Sequence, residues 1–270
     1  MARRTAKPAR HRGRRATALA GFFAAPDSDP AQGPQIRLGL LWGLATTIAA
    51  AAGPVPLAMV FAPLASLAAA QAARSWRRRQ RRAAVAVSAG GAALVVTVSV
   101  FGAPAVLVVV VLLGGVLVFA RLTPTLPSGH ASPGLTGLIA LVCGLGGASP
   151  VLLRSDGFIP VFVLLSFVHV YDASAYVVGT GARSAWEGPA AGVAGIAAVT
   201  LAVAALLSPP FRGATPWLFG LIAAALAPLG PMAAGRLIGD RRARVPAFRR
   251  LDSLLVVGPL WALAAVVVLD

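Results

Sequence analysis

Few side chains here can do polar chemistry, and their scarcity makes them informative: only eight of the 270 residues are acidic. Asp172 stands in Tyr171-Asp172-Ala173-Ser174-Ala175-Tyr176, with Trp186-Glu187-Gly188 soon after it. Asp252 stands in Arg249-Arg250-Leu251-Asp252-Ser253-Leu254. Both occur among strongly apolar segments, where a carboxylate costs roughly 2.5–3.5 kcal/mol at a helix centre and so tends to mark a site. The five arginines between 241 and 250 could clamp phosphoryl oxygens, and Arg183 with Ser184 could contact a phosphate. Each motif also has a plainer reading. Asp172 could be a hydrated interfacial residue between tyrosine anchors. Glu187 could favour the start of the helix that Pro189 enters. Asp252-Ser253 could cap the last helix.

The elements that carry these residues follow from hydropathy. Hydrophobic residues make up 58% of the chain and mean hydropathy is +0.81, which excludes an ordinary soluble domain. Apolar stretches near the ~20 residues needed to cross a bilayer recur along it. Nine are expected, at about 36–52, 54–73, 83–101, 103–120, 135–153, 158–176, 189–207, 217–238 and 253–269. Helix is the spanning element, because backbone groups in lipid must be satisfied within the segment. The alternation of a barrel strand is absent. The expected fold is all-α, a polytopic integral membrane bundle with tight turns at Gly53-Pro54 and Gly102-Ala103-Pro104.

Charge sets the expected orientation. With the N-terminus inside, all but Arg154 and Arg212 of the 24 Lys and Arg residues fall on the inner side or at inner helix ends. That asymmetry indicates N-in and C-out, and it accounts for the net charge of +16 without a nucleic-acid partner. Residues 1–35 read as a basic, disordered cytoplasmic tail, and 36–120 as scaffold hairpins with almost no polar side chains. The tail and the arginine cluster around Trp76 could also bind anionic headgroups. A single cysteine, Cys143, excludes an intrachain disulfide and a thiolate metal cluster. By this topology Asp172, near the inner end of its span, and Asp252, just before the last one, reach the same membrane face.

The order Asp172-Ala-Ser-Ala-Tyr176, Trp186-Glu187-Gly188, then Arg250-Leu-Asp252-Ser253-Leu254 ahead of a last apolar span resembles the phosphatidate cytidylyltransferase (CDP-diacylglycerol synthase) family over residues 158–269. The resemblance implies transfer of a cytidylyl group from CTP to phosphatidic acid, releasing pyrophosphate, at a cytoplasm-facing site in the cell membrane. It implies Asp172 and Asp252 as magnesium (Mg2+) ligands and, with Ser253, as the catalytic group. It further implies Arg183, Ser184, Arg249 and Arg250 at substrate phosphates, with Glu187 and Tyr176 in support. The partners implied are CTP, phosphatidic acid and membrane lipid, and a homodimer is open to it. Arg249 and Gly230-Pro231 stand where the family pattern has further carboxylates. A non-catalytic homologue that binds anionic lipid or regulates a partner is therefore the alternative. Pro127-Ser128-Gly129-His130 matches one motif of type-2 phosphatidic acid phosphatases without that family's other two. His169, three residues before Asp172, could simply hydrogen-bond a neighbouring helix.

Overall fold

The structure is a computed structural model that describes residues 33–76, 82–122, 133–182, 184, 186–206, 209–240 and 243–269. Ten helices account for nearly all of them: α1 Gly33–Ala52, α2 Pro54–Ser75, α3 Arg82–Val98, α4 Ala103–Leu122, α5 Pro133–Asp156, α6 Phe158–Gly179, α7 Glu187–Leu206, α8 Thr215–Leu226, α9 Leu229–Leu237 and α10 Pro246–Val268. A 3-10 turn, Ser99–Phe101, extends α3. No strand occurs among the described residues. Seven segments are long and apolar enough to cross a bilayer, and the apolar parts of α1 and α4, Ile36–Ala52 and Ala103–Phe119, are slightly shorter. Large apolar side chains are exposed along the bundle, among them Leu40, Met59, Phe119, Leu206 and Val267, as lipid-facing helices require. This is a helical membrane bundle.

The turn at Gly53-Pro54 forms as expected: Gly53 takes φ 131°, and Pro54 occupies the first helical position, where no amide donor is lost. At the centre, α5 packs on α2, α3, α4, α6 and α10, and it is the most buried of the spans. Its small residues Gly144, Gly146, Gly147 and Ser149 are all buried and admit neighbouring helices closely. The expected span 217–238 is broken in two. Pro228 has no amide hydrogen to continue the helix, so α8 ends at Leu226 and α9 begins at Leu229.

The largest departure concerns the last span. It starts at Pro246, seven residues before the expected 253, so Asp252 and Ser253 lie inside the helix and do not cap it. The first amides of α10 are satisfied without them. Pro246 has no N–H to satisfy, Ala247 N and Phe248 N donate to Gln71 Oε1 of α2 at 3.0 and 3.2 Å, and Arg249 N donates to the Val245 carbonyl at 3.0 Å. Nearby, Trp76 Nε1 donates to the Leu237 carbonyl (2.9 Å) and Gly239 N donates to Ser75 Oγ (2.9 Å), tying the end of α2 to the end of α9.

These contacts define one end of the bundle, and Arg74, Arg236, Arg249 and Arg250 belong to it. Arg154 lies at the opposite end, where its Nε donates to the Ala50 carbonyl. The basic tail, apart from residues 33–35 that begin α1, lies outside the described residues. So do Pro127-Ser128-Gly129-His130, Arg183, Arg241, Arg242 and residues 77–81 of the cluster around Trp76.

Because Gln71 serves two backbone donors at once, Gln71→Leu should lower stability by about 1–2 kcal/mol. Gln71→Glu keeps the acceptor and adds a favourable charge at the helix start, so it should hold stability at or above the original. Thermal unfolding of the two variants in detergent, compared with the unmodified protein, checks the pair.

Candidate functional site

Asp172 sits seven residues before the C-terminal Gly179 of α6, and Asp252 six residues after the N-terminal Pro246 of α10. At 1.5 Å per residue, each lies roughly 10 Å inside its helix, measured from the same end of the bundle. Asp172 is therefore two turns within α6, deeper than the end of the expected span 158–176. Because both helices extend beyond their expected limits at this end, the two carboxylates sink to a common depth.

They meet at Ser253. Its hydroxyl donates to Asp172 Oδ1, and its amide stands 2.8 Å from Asp252 Oδ1, to which it donates. One residue thus serves both carboxylates, with no helix between them. Asp252 is 6% exposed and Ser253 1%, whereas Asp172 is half-buried. The charges of Arg249 and Arg250 act on Asp252, and that of Arg250 also acts on Asp172. Arg249 is exposed and Arg250 half-buried.

Close backbone approach makes this geometry possible. A Cβ on Gly230 of α9 would stand 2.4 Å from the Asp252 carbonyl oxygen and 2.8 Å from Ser253 Cα. The absence of a side chain at Gly230 therefore seats the break after α8 directly against the site. On the other side, Tyr171 is buried, with its ring filling the space over Gly192 of α7. That contact fixes the rotation of α6 that turns Asp172 toward α10.

The first helix also borders the site, which a scaffold role did not anticipate. An Arg250 guanidinium nitrogen lies 3.6 Å from where a Cβ on Gly39 would stand, and the His169 ring lies at the same distance from that of Gly43. His169 Nδ1 is 2.6 Å from the Leu165 carbonyl oxygen, so this nitrogen carries a hydrogen, and Nε2 stands 3.4 Å from Thr46 Oγ1 of α1. The Gly39-x3-Gly43 spacing, two small residues one turn apart, was the readable signal of this close face.

Other expected site residues stand elsewhere. Ser184 and Glu187 form a reciprocal cap at the start of α7: Ser184 N donates to Glu187 Oε1 (2.9 Å), and Trp186 N donates to Ser184 Oγ (3.4 Å). Both are exposed. Glu187 thus caps the loop it belongs to, and the Ser184 amide and hydroxyl oxygen take part in the same cap. Tyr176 lies one turn beyond Asp172 on the same face of α6, half-buried, with its carbonyl accepting from the Thr180 amide at 3.0 Å.

Among the described residues, no group of three or more His, Cys, Asp or Glu side chains converges to hold a metal. Two carboxylates with a hydroxyl between them is a smaller donor set. It matches a magnesium ion held by one or two carboxylates, with the remaining positions left to water and substrate phosphate. Comparison with protein-family models, with curated proteins and with solved structures finds no match for this chain.

Ser253→Ala should leave a carboxylate of the pair short of a donor and destabilise the protein by about 1–3 kcal/mol. Ser253→Thr retains the hydroxyl and should recover most of that loss. Gly230→Ala, which forces a methyl against the α10 backbone, should cost about 1–3 kcal/mol as well. Melting temperatures in detergent read all three, and an unchanged Ser253→Ala protein would show that the bridge between the carboxylates contributes nothing.

Proposed function

We propose that this chain transfers a cytidylyl group from CTP to the phosphate of a membrane lipid, phosphatidic acid, giving CDP-diacylglycerol and pyrophosphate. The observation that carries the reading is the meeting of Asp172 and Asp252 at Ser253 within an apolar bundle, beside Arg250. The motif order Asp-x-x-Ala-Tyr, Trp-Glu-Gly and Arg-x-Asp-Ser-Leu is its sequence support. In this reading the chain crosses the cell membrane nine times, N-in and C-out, and the basic end with its site faces the cytoplasm. The gathering of arginines at the end opposite Arg154 supports that orientation.

The chemistry is an in-line exchange at phosphorus. An oxygen of the lipid phosphate forms a bond to the α-phosphorus of CTP, and the bond from that phosphorus to the bridging oxygen breaks, releasing pyrophosphate. Arg249 and Arg250 offer guanidinium donors to phosphoryl oxygens, which cations stabilise most where charge develops. Ser253 holds the two carboxylates in one geometry. A magnesium ion at Asp172 and Asp252 would supply neutralisation of the triphosphate. Glu187 keeps the loop between α6 and α7 in shape, and Tyr176 flanks Asp172 on its own helix.

A second reading has its own observation. Only two carboxylates meet among the described residues, and Arg249 and Pro231 stand where the family pattern has more. In that reading the site binds an anionic lipid without turning it over.

One assay separates the two. Purified protein with CTP, phosphatidic acid and magnesium should produce CDP-diacylglycerol, and Asp172→Asn and Asp252→Asn should each reduce the rate by about 100-fold or more. A rate unaffected by both substitutions would remove these residues from the site. Absence of turnover with several lipid phosphates and divalent metals, while the lipid still binds, would establish the non-catalytic reading.

A further inference from the structure

Between α1 and the start of α10 runs an open cleft of ≈ 470 Å³ lined by Leu38, Leu41, Trp42, Ala45, Pro246, Ala247 and Arg250. Its volume falls within the ~300–1,000 Å³ usual for small-molecule pockets. Among the described residues that line it, Arg250 alone is charged; it is half-buried, and its guanidinium lies against Gly39. Leu38 is 58% exposed and Leu41 61%, and Ala45 is exposed too, so the cleft opens sideways from the bundle, toward lipid.

We propose that this cleft seats an acyl chain of a phosphate-monoester lipid, with the phosphate held at Arg250. The lipid class rests on the transferase reading above, whereas the place rests on the cleft itself. Apolar walls give no preference among lipids, because the surrounding tails are as apolar as leucine. Discrimination must come from Arg250, the one cation among the described residues that line the cleft. A planar guanidinium pairs with two phosphate oxygens at once, and a phosphate monoester offers more charge and more free oxygens than a phosphodiester headgroup. Arg250 and Ser253 lie three residues apart on one face of α10, so a phosphate held at Arg250 lies one turn from the Ser253–Asp172 bond. The charge of Arg250 already acts on Asp172. Gly39 leaves the space that the guanidinium occupies.

The test is lipid retention by the full chain in native mass spectrometry, with phosphatidic acid and phosphatidylcholine of the same acyl chains as probes. The protein should retain phosphatidic acid about tenfold better than phosphatidylcholine. Ala45→Trp and Leu41→Trp, both at exposed positions where the ring fills the cleft without displacing the core, should each remove most of that retention. Arg250→Gln should erase the preference between the two lipids. Retention and preference unchanged in all three variants overturns the proposal. Turnover measured in parallel separates it from the transferase reading. Cleft-dependent retention without CDP-diacylglycerol synthesis leaves the cleft standing and removes the transferase. Synthesis with an unchanged KM for phosphatidic acid in both tryptophan variants leaves the transferase and removes the cleft.

Discussion

Two carboxylates about 10 Å inside their helices, in a bundle built for lipid, are the constraint around which this end of the protein is arranged. Charge in such surroundings is tolerated only where polar partners replace the water that is lost. Ser253 supplies them economically, its hydroxyl reaching Asp172 and its amide reaching Asp252. The nearby arginines act on the same pair, so the local charge is opposed without a carboxylate being locked into an exposed surface contact. The arrangement requires α6 and α10 to lie close together at one depth, and several otherwise unrelated features of the fold serve that requirement.

The early start of α10 is the first of these. Were the helix to begin at Asp252, that carboxylate would be spent on backbone amides at its own N-terminus. Gln71, reaching across from α2, takes the amides of Ala247 and Phe248 instead. The break at Pro228 is the second, because just beyond it Gly230 rests on the backbone of Asp252 and Ser253. Tyr171 against Gly192 is the third, setting the rotation of α6 from its far side. In a membrane, where burial from water does little to drive helices together, close contacts of this kind determine which helices meet.

The division of the chain into membrane segments was legible because it depends on local composition. Turns at Gly53 and Gly102 and nearly all the helix positions follow from hydropathy and from residues with special backbone behaviour. The limits of α10 were not legible, since Pro246 to Asp252 contains two arginines and an aspartate and reads as a polar loop. Pro246 suits a first helical position, and a distant partner, Gln71, takes the next two amides. Asp252-Ser253 looked like a cap for the same reason. The role of α1 was legible only in part: the Gly39-x3-Gly43 spacing signals a face that another helix can approach closely, but not that Arg250 and His169 are what approaches it.

By itself, the sequence determined that this is a helical membrane protein, where its apolar segments lie, which end of the bundle is basic, and which few residues could form a polar site. Those properties are set residue by residue through hydropathy, charge and backbone preference. Tertiary structure alone decided that Asp172 and Asp252 share Ser253, that Glu187 and Ser184 cap a helix at a distance from them, and that α1 and α10 line an open cleft with Arg250. Each depends on the depth and rotation of helices far apart in the chain, and those are fixed by packing between helices and not by the composition of any one of them.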